Sequence, residues 1–152
     1  VHIVVAAVGR AKSGPEHELF DSYVARLPWR VDVKEIELKK EMAVDVRRAR
    51  EGEALLAAVP DGARIVALDE RGRSDNSNAF AKRLGRWRDD GVRSVVFLIG
   101  GADGLDETIR KRADVVLNFG ALTWPHMLVR ALLAEQLYRA HTILTGHPYH
   151  RA

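Results

Sequence analysis

Glu135 and Arg139 stand four residues apart, the spacing at which a carboxylate and a guanidinium meet on one helix face. Such a pair can hold a permanent cation beside a reacting group, or be a surface ion pair of small worth. The closing run His147-Pro148-Tyr149-His150-Arg151 combines an aromatic ring, ring nitrogens and a cation. That mixture suits an unstacked base or a phosphate, and it also reads as a frayed chain end. Gly100-Gly101-Ala102-Asp103-Gly104 lets a ligand approach peptide N–H groups closely, or makes a tight turn with a glycine at positive φ. It has neither the G-x-G-x-x-G spacing of a dinucleotide fingerprint nor the G-K-[ST] ending of a phosphate loop. Leu68-Asp69-Glu70-Arg71-Gly72-Arg73-Ser74 offers two guanidinium groups to phosphates, or is a solvated loop. Phe119 to His126 is a mostly apolar loop that either walls a pocket for a flat ring or packs on a neighbouring helix or subunit.

The elements that position these residues follow from hydrophobic periodicity. Apolar runs at 2–8, 31–38, 64–68, 94–99 and 114–117 predict five strands. Helical spacing predicts helices over 16–27, 43–59, 78–89 and 105–112, and a long one from Pro125 to about Thr145. Residues 69–77 are expected to be a polar loop. Strands alternate with helices throughout, which predicts one α/β domain over residues 1–152 with a mostly parallel sheet and helices on both faces. Ligands of such sheets bind beyond the carboxyl ends of the strands. Those ends are where Leu68, Ile99 and Leu117 hand over to the three unusual loops. The last helix has a second apolar stripe through Leu133 and Leu137, which predicts burial on two sides, in the domain and in a dimer.

Composition bounds the chemistry. The 152 residues are 47% apolar and 30% charged, enough for a packed core. Cysteine is absent, which excludes a disulfide scaffold, a thiolate nucleophile and a sulfur-ligated zinc site. The histidines lack ligand spacing, so no metal is expected. With 24 basic and 21 acidic residues the net charge is +3, which permits an anionic partner without demanding one. No apolar run approaches bilayer length and no secretion signal is recognised, so a soluble cytoplasmic protein is expected.

Taken together, Leu68-Asp69-Glu70-Arg71-Gly72, Phe97 to Leu105, Thr123-Trp124-Pro125-His126, Glu135 to Ala140 and Pro148-Tyr149-His150-Arg151 resemble a known family. They are similar, in order and spacing across essentially the whole chain, to the minimal ribosomal large-subunit pseudouridine N3-methyltransferases of the SPOUT (trefoil-knot) superfamily. The resemblance implies a C-terminal trefoil knot, a homodimer and S-adenosyl-L-methionine as methyl donor. It implies cofactor contacts at Leu68, Gly100, Phe119, Gly120, Ala121, Leu122, Thr123 and Trp124. The implied substrate is a pseudouridine in the helix 69 loop of 23S rRNA, within the assembled ribosome. Arg139, Glu135, Tyr149 and His150 are the expected catalytic set, with Arg71, Arg73, Tyr149, His150 and Arg151 on the RNA. Asn118-Phe119-Gly120 and Arg73 depart from the family's usual Ser-Leu-Ser or Ser-Phe-Ser and Lys. A SPOUT enzyme acting on tRNA and a non-catalytic ribosome-binding protein remain as alternatives.

Overall fold

The computed structural model describes residues 1–151; Ala152, the last residue of the expected domain, lies outside the described residues. The chain runs β1 (His2–Val8), α1 (Pro15–Val24), β2 (Arg30–Ile36), α2 (Val44–Ala57), β3 (Arg64–Arg73), α3 (Ser77–Asp89), β4 (Ser94–Ile99), α4 (Glu107–Arg112), β5 (Val115–Leu117) and α5 (His126–Thr145). The strands form one sheet in the order β2-β1-β4-β3-β5, every pair parallel, as the alternation predicts.

Period-two alternation sorts the strand side chains between two layers. Ile3, Val5, Val66, Val95 and Phe97 face α1, α3 and α5 and pack on Phe80, Leu84, Leu133 and Leu137. Val4, Ala6, Ile65, Val96 and Leu98 face α2 and α4 and pack on Leu55, Leu105 and Ile109. Covering on both faces explains why β4 reads SVVFLI without a break.

The main correction lies in the expected 69–77 loop. β3 does not end at Leu68 but runs on to Arg73, which pairs with Leu117 after a register shift. Gly72 makes this possible. A Cβ there would stand 2.6 Å from the backbone of Val116 and Leu117, so only glycine lets the two strands come together. The α1 helix is shorter than expected: it closes at Val24, and Ala25 to Leu27 continue as turns whose N–H groups reach Asp21, Tyr23 and Val24. The remaining helix ends lie within about two residues of the expected ones.

Candidate active site

Residues 68–71 within β3 and the ends of β4 and β5 meet over one cavity of about 690 Å³, lined by that stretch, by the loops after β4 and β5 and by the first turn of α5. That size suits a nucleoside-scale ligand. Within β3, where its register shifts, Leu68 is buried and Asp69 Oδ1 accepts the N–H of Arg71 at 2.8 Å. Arg110 comes to 4.0 Å of the same carboxylate, whose side chain is 7% exposed.

At the end of β4, the chain doubles back so tightly that a Cβ on Gly100 would stand 2.8 Å from the carbonyl of Gly104. The turn is closed by the Gly104 N–H donating to Gly101 O at 3.0 Å, with Gly104 at φ +78. The reading of this loop as a tight glycine turn holds, and its backbone lines the cavity.

At the end of β5, Asn118 is the organiser. Its Nδ2 donates to Gly72 O at 2.7 Å, while its Oδ1 accepts from Ser74 Oγ at 2.8 Å and from the Gly120 N–H at 3.1 Å. This carboxamide ties the β3 extension to the β5 exit loop and sets the turn at Gly120 (φ +113). The Asn118-Phe119-Gly120 departure thus supplies its own turn chemistry. Trp124 folds back to donate its indole N–H to Phe119 O at 3.2 Å. Leu122 is 72% exposed and Trp124 40% exposed, so the loop presents apolar surface at the cavity mouth.

Of the expected cofactor contacts, Leu68, Gly100, Phe119, Gly120, Leu122, Thr123 and Trp124 line the cavity. Ala121 does not: it is exposed beside them. Arg71 also lines the cavity, whereas Arg73 is turned to Asp75 at 3.1 Å. Sequence reasoning left out Asn118 as the turn organiser, Asp69 as a buried acid in the wall, and Val129 from α5, and it named His126 only as the end of the run that could wall a pocket. A carboxylate directly after a buried strand and a histidine behind the helix-opening Pro125 were the available signals.

The other candidate residues gather at the far end of α5. Glu135 Oε2 accepts from Arg139 Nη2 at 2.7 Å and from the Tyr149 hydroxyl at 3.0 Å. Its Oε1 accepts from Arg139 Nε and from Gln136 Nε2, each at 3.1 Å. His150 Nδ1 lies 3.1 Å from Arg139 Nη1, and the guanidinium sits 4.9 Å from the Tyr149 ring centroid. The tail is therefore folded onto the helix, not frayed. Gly146 caps α5 in the left-handed conformation, His147 N–H returns to Thr142 O at 2.9 Å, and Tyr149 packs edge-on against Tyr138. Arg151 is exposed.

Electrostatics assign states to this cluster. Hydrogen bonding to Glu135 raises the pKa of Arg139 further, so it remains a cation. Burial, reinforced by hydrogen bonding, pushes the Tyr149 phenol well above its ordinary value, so it stays neutral and donates. Glu135 accepts four hydrogen bonds, two on each oxygen, which fixes its carboxylate against Arg139.

The cluster does not enter the cavity of its own chain. Arg139 lies more than three helical turns beyond His126, about 20 Å along the axis at 1.5 Å per residue. Among the described residues, no group of three or more His, Asp or Glu side chains could hold a metal ion.

Over residues 1–150 the chain matches the family described as "Predicted SPOUT methyltransferase". It is 58% identical over 151 residues to the ribosomal RNA large subunit methyltransferase H of Paramagnetospirillum magneticum, covering 99% of each chain. Its identity to the protein of the same name from Rhodospirillum centenum is 57% over 148 residues, 97% of each. Among solved structures, the SpoU methyltransferase AviRb from Streptomyces viridochromogenes aligns with a TM-score of 0.49 at 12% identity. That alignment covers 95% of this chain and 61% of the longer AviRb chain. Among the described residues, no helix is long and apolar enough to cross a membrane. Matched to the family over all but its last two residues, and more than half identical to named members along nearly its whole length, the chain belongs to the SPOUT methyltransferases and is a transferase.

Proposed function

We propose that the protein transfers the methyl group of S-adenosyl-L-methionine to N3 of a pseudouridine in the helix 69 loop of 23S rRNA, in the assembled ribosome. The single observation behind this reading is the closure of the β3 extension after Leu68 and the loops after Ile99 and Leu117 around one cavity. Near full-length identity to proteins named as large-subunit rRNA methyltransferases supports the RNA class. The family's C-terminal trefoil threading, a cytoplasmic location and a single domain over 1–152 belong to the same proposal.

The cavity fits the donor. Gly100, Gly101 and Gly104 line it without side chains, and Phe119, Leu122 and Trp124 offer apolar faces to a purine. Leu68, Gly100 and the 119–124 loop, Ala121 included at its rim, are the residues that would hold it. When bound, the donor supplies a methyl group already activated on a sulfonium. The protein must then align the acceptor nitrogen, exclude water and favour loss of the N3 proton.

Arg139 suits the last task. It is a fixed cation held by Glu135 in a two-point contact, and a positive charge near the ring stabilises the N3 anion. Tyr149, His150 and Arg151 present a ring and donors to the base and its phosphates, with Arg71 at the cavity wall and Arg73 beside it. Because Arg139 stands about 15 Å along α5 beyond Val129, which lines its own cavity, and the cluster is absent from that lining, we take the active site to be composite. In a homodimer, one copy's tail serves its partner's cavity.

The test is mass mapping of rRNA nucleotides after ribosomes are incubated with protein and donor. A methyl group on the helix 69 pseudouridine is expected. Transfer to isolated tRNA with none to ribosomes would move the target to tRNA. Absence of both transfer and saturable donor heat by calorimetry would leave a ribosome-binding protein.

A further inference from the structure

A second cavity, of about 440 Å³, opens between the β1–α1 loop and the first turn of α5. It has a preformed base. Gly9, at φ +98, turns the chain off the sheet, and its carbonyl accepts from Arg130 Nη2 at 2.9 Å. Arg130 is 5% exposed, and its Nη1 donates to Glu35 Oε2 at 2.6 Å. The Ala11 N–H donates to the same oxygen, also at 2.6 Å. Burial works against the Glu35 charge, but the bonds from Arg130 and Ala11 outweigh it and hold its pKa below the usual range. The buried Nε of Arg130 has no hydrogen-bond partner.

The charged groups lining this cavity are Arg10, Lys12 and Arg130 against the single lining carboxylate of Glu16, with the rings of His17 and His126 beside them. Arg130 is neutralised by Glu35, Arg10 rests 3.5 Å from Glu37, and His17 lies 3.2 Å from Asp21. Lys12 is exposed, with no acidic partner among the described residues. The loop runs into α1, whose first turn has no side-chain cap and carries Glu16 and Glu18; Pro15 has no N–H and the Glu18 N–H donates to Gly14 O, which leaves the N–H groups of Glu16 and His17 at the helix end. His126 lines both this cavity and the larger one, which makes the two adjacent.

We infer that this second cavity is a subsite for a backbone phosphate of the RNA strand, with Lys12 as its principal charge. The inference rests on the rRNA reading above and extends it to the N-terminal loop. A phosphate seated there would lie next to the cavity mouth, fixing the strand's path without reading its sequence.

The experiment measures binding of full-length protein to purified ribosomal particles across a salt series, for wild type, Lys12→Gln and Lys12→Arg. Neutralising one phosphate on a single strand contributes about 0.7 to the slope of log affinity against log salt. Lys12→Gln is therefore expected to flatten the slope by about that amount. Wild type would lose about 2.5-fold more affinity than this variant between roughly 50 and 200 mM salt. Lys12→Arg should keep the wild-type slope, and donor binding by calorimetry should be equal in all three. An unchanged slope in Lys12→Gln overturns the subsite, as does a slope change shared by Lys12→Arg. Methyl transfer is scored separately on the same particles. The expected slope change without transfer by wild type would sink the proposed function and leave the phosphate site, whereas no particle binding by wild type would sink both.

Discussion

Substituting Gly100 by alanine should damage donor binding in a way that generic destabilisation does not. The added Cβ would stand 2.8 Å from both the carbonyl carbon and oxygen of Gly104, and 3.1 Å from Leu105 Cδ2. Ordinary contact needs at least about 3.4 Å, and the obstructing atoms are backbone, which cannot rotate aside. The 100–104 turn must therefore shift by roughly half an ångström or more, at an overpacking cost of about 1–3 kcal/mol. Because that turn is a cavity wall, Kd for S-adenosylmethionine should rise about 10- to 100-fold, equivalent to about 1.4–2.7 kcal/mol. Gly91→Ala is the control. Its glycine also has positive φ (+83) but nothing within 4 Å, and it lies away from the cavity lining. It should cost about 1–2 kcal/mol of stability through backbone strain and leave donor affinity unchanged. Calorimetry and urea unfolding on the same samples give both numbers. If Gly100→Ala binds donor within twofold of wild type, the turn is not a wall of the donor site.

Other outcomes follow from the same geometry. Arg139→Ala should bind donor nearly as wild type yet transfer methyl groups to ribosomes about 100-fold or more slowly in single-turnover assays, since it removes the fixed cation; normal turnover would exclude Arg139 from the chemistry. Removing residues 148–152, of which Ala152 lies outside the described residues, should abolish transfer while sedimentation shows the oligomeric state unchanged. Glu51 is buried near Gly101, and desolvation raises its pKa against the opposing pull of Arg47. A carboxyl whose folded pKa lies above its unfolded one loses stability as pH climbs from the unfolded value through the folded one. Glu51→Gln should therefore match wild type in urea near pH 4 and exceed it near pH 8; an equal or smaller midpoint at pH 8 would contradict the assignment.

Much of the fold was legible because the sheet is covered on both faces. SVVFLI and HIVVAAV can only be buried strands at their lengths, and intervening helices make their pairing parallel. Once the sheet is parallel, the convergence of the loops after Leu68, Ile99 and Leu117 follows from chain direction alone. The β3 extension was not legible. Asp-Glu-Arg-Gly-Arg has no apolar alternation, and the meaning of Gly72 depends on Val116 and Leu117, more than forty positions away. The Arg130–Glu35 pair beneath the second cavity joins residues 95 apart, and no local pattern announces such a bond. Glu135 and Arg139 were correctly paired by spacing. Their distance from the larger cavity needed the helix's length and its anchoring at both ends.

That distance allows a decisive experiment. If the cluster serves the cavity of a partner, defects in the two parts reside in different sites of a mixed dimer. Gly100→Ala spoils the cavity of its own chain, and Arg139→Ala spoils the cluster that its chain lends to the other. A dimer of one copy of each holds one site with both lesions and one site with neither. With random exchange at equal concentrations, half the dimers are mixed and about a quarter of all sites are intact, so roughly a quarter of wild-type transfer should return. The assay is run at donor concentrations below the Gly100→Ala Kd, after subunit exchange is verified with tagged copies. If cavity and cluster instead act within one chain, every site in the mixture carries one lesion or the other. Activity then stays at the average of the two parents, and the composite arrangement along α5 fails.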